Sequence, residues 1–158
     1  MMPQMAAVIM AQLIAAASPS GEPKAEKQPE LAVLVAAVHW AVDRGSPKPG
    51  VLYLAVENHQ DPPDALLSQL VAVPNLRRVS ECPKAWVGGK QFPKPAQGDL
   101  VLLLHSLTWH NKKRASVWVV RYSGPESAIG CREYFALRGA QWQHVAPGPN
   151  EGTECGVA

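Results

Sequence analysis

LVLLLHSLTWHNKKRASVWVVRYSGPESAIGCREYFALRGAQWQHV, residues 100–145, is the stretch whose reading decides the fold. Four apolar runs rich in β-branched and aromatic residues, 100–109, 115–122, 129–137 and 140–145, are separated by Asn111-Lys112-Lys113, Ser123-Gly124-Pro125-Glu126 and Arg138-Gly139. Each break is short enough to turn a strand back beside its predecessor, so the stretch reads as an antiparallel meander. Successive side chains of a strand point to opposite faces. In the first run Leu100, Leu102 and Leu104 take one phase, and Val101, Leu103, His105, Leu107 and Trp109 the other. Both phases are apolar, which calls for cover on both faces by helix, loop or partner subunit.

Upstream, residues 31–42 form a nearly unbroken apolar run ended by Asp43-Arg44-Gly45. The run is too short to span a bilayer and stops as a helix stops, so residues 30–44 are expected to form a core helix across one face of the sheet. Residues 51–56 read as a short strand. Asp61-Pro62-Pro63-Asp64 then opens a second helix, with Asp61 as its cap and Leu66, Leu67, Leu70 and Val71 on one side. Residues 76–80 read as another strand. The fold class expected is α+β, an N-terminal helix packed on a curved antiparallel β-meander.

A chain of 158 residues, 47% of them hydrophobic, is of one-domain size with enough apolar side chains for a sizeable core. Ten of the 15 prolines cluster near 19–29, 47–49, 83–95 and 147–149, marking linkers and loops. We therefore assign 18–29 as a disordered linker, 30–146 as a single α+β domain and 147–158 as a disordered tail. Residues 1–17 carry no charged side chain, and Ala15-Ala16-Ala17 before Ser18-Pro19 resembles a small-residue cleavage site. These features read as a signal peptide and an exported protein with no stable membrane span after cleavage; the alternative is the N-terminal helix of a cytoplasmic protein. The net charge of +2, from scattered rather than blocked charges, argues against a nucleic-acid partner.

Residues 83–98 read as a long loop in which Lys84, Trp86, Lys90, Phe92 and Lys94 interleave basic and aromatic side chains. Such a surface binds anions or partners, or is simply a solvated connection. If the chain is exported, Cys82 and Cys131 are the natural disulfide pair, because both stand next to expected strands while Cys155 lies in the tail; the alternative is two buried thiols. His39, His59, His105, His110 and His144 lack the spacing of metal ligands, and neither a metal nor a cofactor is expected. His105 and Glu133 are the acid–base pairing that side-chain phase offers, provided that both fall on the same face. No nucleophile elbow, paired catalytic carboxylates or glycine-rich cofactor loop is present.

Val51-Leu52-Tyr53-Leu54 before Asp61-Pro62-Pro63, then Val79-Ser80-Glu81-Cys82, and a closing Tyr134-Phe135-Ala136-Leu137-Arg138-Gly139-Ala140-Gln141-Trp142 resemble small exported bacterial proteins of unknown function. Those proteins are similar in outline to NTF2-like or cystatin-like folds. The resemblance covers residues 30–146 and implies a helix packed on a curved sheet, but no catalytic residue. The expectation is a non-enzymatic exported domain that binds a small ligand or a protein through the concave sheet face or the 86–94 loop. The alternatives are an NTF2-like enzyme with a His105–Glu133 pair in a sheet pocket, and a dimerisation or scaffold module pairing through the sheet.

Overall fold

The computed structural model describes residues 24–45, 48–124 and 127–157. Residues 1–17, and with them the expected signal peptide, lie outside that range, as does 18–23 of the expected linker. The fold is α+β, with one main helix on a strongly curled mixed sheet that forms a half-barrel. Along the chain come α1 (Lys24–Arg44), β1 (Leu52–Val56), α2 (Asp64–Ser68), β2 (Leu76–Arg78), a 3-10 turn (Val79–Glu81), β3 (Lys84–Val87) and β4 (Lys90–Pro93). There follow β5 (Leu100–Asn111), β6 (Arg114–Tyr122), β7 (Ala128–Arg138), β8 (Gln141–Val145) and β9 (Cys155–Val157).

α1 starts at Lys24, so the expected linker is helical from there and Pro29 sits inside the helix. Val33, Ala37, Val38 and Ala41 recur at the spacing of one helical face and are buried. They pack with Leu52, Leu54, Leu102, Leu104, Val117, Val119 and Phe135 of the sheet. Arg44 in the last turn suits the negative end of the helix dipole, and the Gly45 N–H closes on the Val42 carbonyl at 3.2 Å.

The sheet order is β2-β1-β5-β6-β7-β8, with β9 also on β7. β5 to β8 are the antiparallel meander read from the sequence. β1, however, runs parallel to both β2 and β5, so the sheet is mixed rather than wholly antiparallel. Parallel neighbours need crossovers, and two are present. Residues 57–75, which carry α2, cross the α1 side, where Leu66, Leu70 and Val73 join the main core. Residues 79–99 cross the other side, where Val79 and Cys82 join a second core of Tyr53, Ala55, Val101, Leu103, Val120 and Ala128. Asp61 does not cap α2: its Oδ1 accepts the Ser80 N–H at 2.8 Å and ties one crossover to the other.

The side-chain phase of β5 is broken by a bulge. Ser106 takes a φ of 55°, and the β5–β6 register shifts between His105 and Thr108. An extra residue in one strand turns every following side chain over. Leu107 therefore packs on the α1 side, away from the face that His105 shares with Val101 and Leu103.

The C-terminal segment, expected to be a disordered tail, is built into the fold. Cys155 stands opposite Cys131 in the β7–β9 register and is disulfide-bonded to it. Cys82 is a buried free thiol, so the expected Cys82–Cys131 bond is replaced by Cys131–Cys155. Cys82 and Cys131 belong to different layers: Cys82 is carried over the second face by the crossover, whereas Cys131 lies on the α1 face of β7, in phase with Val119 and Leu104. Arg114 grips Glu151, its Nε donating to Oε1 at 3.0 Å, and Tyr134 Oη donates to the Gly152 carbonyl at 3.3 Å. Arg132 adds a backbone bond to the Glu154 carbonyl at 2.8 Å; its Nε lies 3.1 Å from Glu154 Oε2, an ion contact outside hydrogen-bond geometry.

The hydrogen bonds from Arg114 hold the Glu151 carboxyl below its ordinary pKa of 4.5, against a smaller opposing effect of burial. A carboxyl depressed in the folded state stabilises fully above its unfolded pKa, and that stabilisation is lost as pH falls through the folded value. Acidification below pH 4.5 is thus expected to lower the hydrogen-exchange protection of the Gly148, Glu151 and Arg132 amides, which donate to Glu151 Oε1, the Gly148 carbonyl and the Glu154 carbonyl, before the sheet opens. The same early loosening in Glu151→Gln would rule out this carboxylate as its source.

Candidate functional site

Both faces of the sheet are covered by the chain itself. On the second face Val79 and Cys82 pack over β1 and β5, the β3–β4 hairpin stands over β5 and β6, and Glu151 and Gly152 of the tail lie on Arg114 of β6 and Tyr134 of β7. An apolar second face consequently no longer argues for pairing of two copies through the sheet.

The stretch expected to be a binding loop is this hairpin, in which Ala85 faces Phe92 and Val87 faces Lys90. Alternation puts Val87 and Phe92 on its inner side and Trp86 on its outer side. Gly88 and Gly89 adopt φ of 57° and 79°, the left-handed pair required by a tight two-residue turn. Tyr122 Oη donates to the Pro93 carbonyl and pins the base of the hairpin to β6.

Between hairpin and sheet lies a cavity of about 250 Å³. Its floor is Val101, Leu103, Val120, Tyr122 and Ala128, its roof Val87 and Phe92, and its polar groups His59 and His105. Gly130 faces Val120 across β6–β7, and a Cβ there would come within 2.8 Å of Val120 Cγ2. Glycine at 130 is what lets Val120 lie in the floor. Of the residues expected to bind, Phe92 lines the cavity, whereas Lys84, Trp86, Lys90 and Lys94 face solvent.

His105 sits at the bulge, where its Nδ1 is 2.9 Å from Ser106 Oγ. Its ring stacks on Trp118 at 6.0 Å between centroids, and the Arg132 guanidinium lies over the same indole. Burial pushes the His105 pKa down, with Glu57 opposing and His59 reinforcing the shift. The imidazole is accordingly neutral at neutral pH, and its Nε2 makes no hydrogen bond among the described residues. Burial also raises the pKa of Cys82, whose thiol is a buried packing group rather than a nucleophile.

His105 and Glu133 do not converge. His105 faces the cavity, whereas Glu133, paired with Val117, lies on the α1 side in phase with Phe135. The expected pair is removed by the sheet between them. Glu133 Oε2 meets His144 Nε2 at 2.7 Å, and the His144 ring stacks on Trp40 at 4.4 Å. That contact was within reach of the sequence. A two-residue turn at Gly139-Ala140 pairs Phe135 with His144, which places Glu133 one step along the same face.

A Ser116–His110–Glu151 grouping superficially resembles a nucleophile relay. Both Ser116 Oγ, at 2.9 Å, and Glu151 Oε2, at 4.0 Å, approach the same His110 Nε2, so the carboxylate does not orient the imidazole from its other nitrogen. Ser116 is moreover only 1% exposed. The group fastens the tail to the sheet.

No protein-family profile, curated protein or solved structure matches this chain.

Proposed function

We propose that this protein is a non-enzymatic exported domain that holds a small, mainly apolar molecule between the β3–β4 hairpin and the sheet. The observation that carries the reading is the cavity of about 250 Å³, apolar on floor and roof, with the free nitrogen of a neutral His105 at one side. Ligand pockets usually enclose about 300–1,000 Å³. This one suits a small aromatic or branched aliphatic molecule with a single hydrogen-bonding group. Export is supported by the Cys131–Cys155 disulfide, since such bonds persist in oxidising compartments. Among the described residues no helix is long and apolar enough to cross a membrane.

Titration of ¹⁵N-labelled protein with indole and with phenol tests the site. Shifts are expected at Val87, Phe92, Val101 and Val120, with affinity about tenfold weaker in Phe92→Ala, the size of one aromatic contact. Shifts confined to another surface, or none with either probe, would sink the proposal.

A further inference from the structure

The tip of the hairpin is built differently from its underside. Trp86 is 71% exposed and Val87 45% exposed, next to a turn whose glycines would meet nothing within 4 Å if each carried a Cβ. Lys84, Lys90 and Lys94 are exposed around them, and among the described residues none of these lysines is in an ion pair. The nearby carboxylates are Glu81, which accepts the Arg78 N–H at 3.0 Å, and Asp61, which accepts the Ser80 N–H at 2.8 Å; among the described residues neither is ion-paired to these lysines. Water, then, meets an exposed indole beside a two-glycine turn, on a hairpin that carries three unpaired ammonium groups.

We propose that this tip docks the protein onto the surface of an anionic lipid bilayer, with Trp86 entering the headgroup region and the lysines lying against negatively charged headgroups. Indole favours the membrane interface because it joins a large apolar face to an N–H donor. A four-residue strand rises roughly 13 Å, and a hairpin that leans on the surface with its Trp86 side brings the base lysines nearer than that, to about one Debye length, roughly 10 Å. A protein partner is disfavoured by shape and area. A single exposed indole beside a tight turn falls far short of the ~800 Å² per partner of a stable protein interface. A fluid interface needs no complementary pocket. Docking does not depend on whether the cavity holds a ligand, because Trp86 projects from the opposite side of the hairpin to Phe92.

Vesicle co-sedimentation of the whole chain decides the matter, comparing mixed phosphatidylglycerol–phosphatidylcholine vesicles with phosphatidylcholine alone. Binding is expected to the anionic vesicles. Each lysine contributes on the order of a fivefold factor at such a surface, so the Lys84→Gln, Lys90→Gln, Lys94→Gln triple variant should lose about 100-fold. Trp86→Ala should lose about tenfold. In the wild type, brominated lipid should quench tryptophan fluorescence, and Trp86→Phe should bind while losing most of that quenching. All these positions are exposed, and an unchanged Cys131–Cys155 bond and unfolding transition in each variant verify the fold. No binding to anionic vesicles overturns the proposal, as does binding that Trp86→Ala leaves intact, the behaviour of a general polyanion site. Capture of an acidic protein without vesicle binding would overturn it in favour of a protein partner.

Discussion

Replacing Phe135 by alanine is expected to lower the unfolding free energy by about 3–5 kcal/mol, near the upper end of what one side chain can cost. Phe135 is fully buried, at 0% exposure, under α1 at the centre of the main core. Its ring meets Trp40 edge-on at 6.5 Å and His144 at 5.6 Å. Truncation removes the transfer free energy of the ring and leaves a hollow that the β-sheet on one side and α1 on the other cannot collapse to fill. A domain of this size is stable by only about 5–15 kcal/mol, so a large share is at stake. Chemical denaturation reads the effect directly. Ile129→Ala, at a position 65% exposed, should change stability by no more than about 0.5 kcal/mol. A loss below about 1 kcal/mol in Phe135→Ala would mean that α1 does not close over this face.

Removing the Cys131–Cys155 bond is expected to cost about 3 kcal/mol, from the loop entropy released over a sequence separation of 24. For a domain of this length that lowers Tm by roughly 10 °C. The tail should loosen first, since among the described residues β9 pairs with β7 through Ile129–Val157, Gly130–Gly156 and Cys131–Cys155, a short edge extended by the Arg132 N–H bond to the Glu154 carbonyl. Differential scanning calorimetry of a Cys131→Ser, Cys155→Ser double variant measures the loss. Cys82→Ser should retain the bond, because Cys82 is free and buried beneath the crossover. Peptide mapping under non-reducing conditions that found Cys82 in the bond would overturn both the pairing and this forecast.

The elements that were legible are those whose signal is local. The runs of β5 to β8 and the turns between them are written in hydrophobic period and turn residues, and the body of α1 is written in its apolar run and its Arg44-Gly45 end. The start of α1 was not legible, because Pro29 and the polar residues before it signal a break in isolation. Nor was the bulge at Ser106. Serine carries no strong preference for a left-handed φ, yet that one residue decides which face receives Leu107. The candidate site was legible in part. The 86–94 stretch and His105 stand out separately in the sequence, and the structure brings Phe92 and His105 to one cavity while leaving Trp86 outside it.

By itself the sequence determined the α+β class, the antiparallel core of the sheet and the need for cover on both of its faces, because side-chain periodicity reports burial element by element. Only the tertiary structure decided the rest: the parallel placement of β1, the hairpin and tail that supply the second cover, Cys155 as the partner of Cys131, and the separation of His105 from Glu133. Each of these depends on contacts between residues far apart in the chain, such as Arg114 and Glu151 or Tyr122 and Pro93. Local propensity is the same whichever distant partner is met, so strand direction, disulfide pairing and shared faces are settled only when the chain closes on itself.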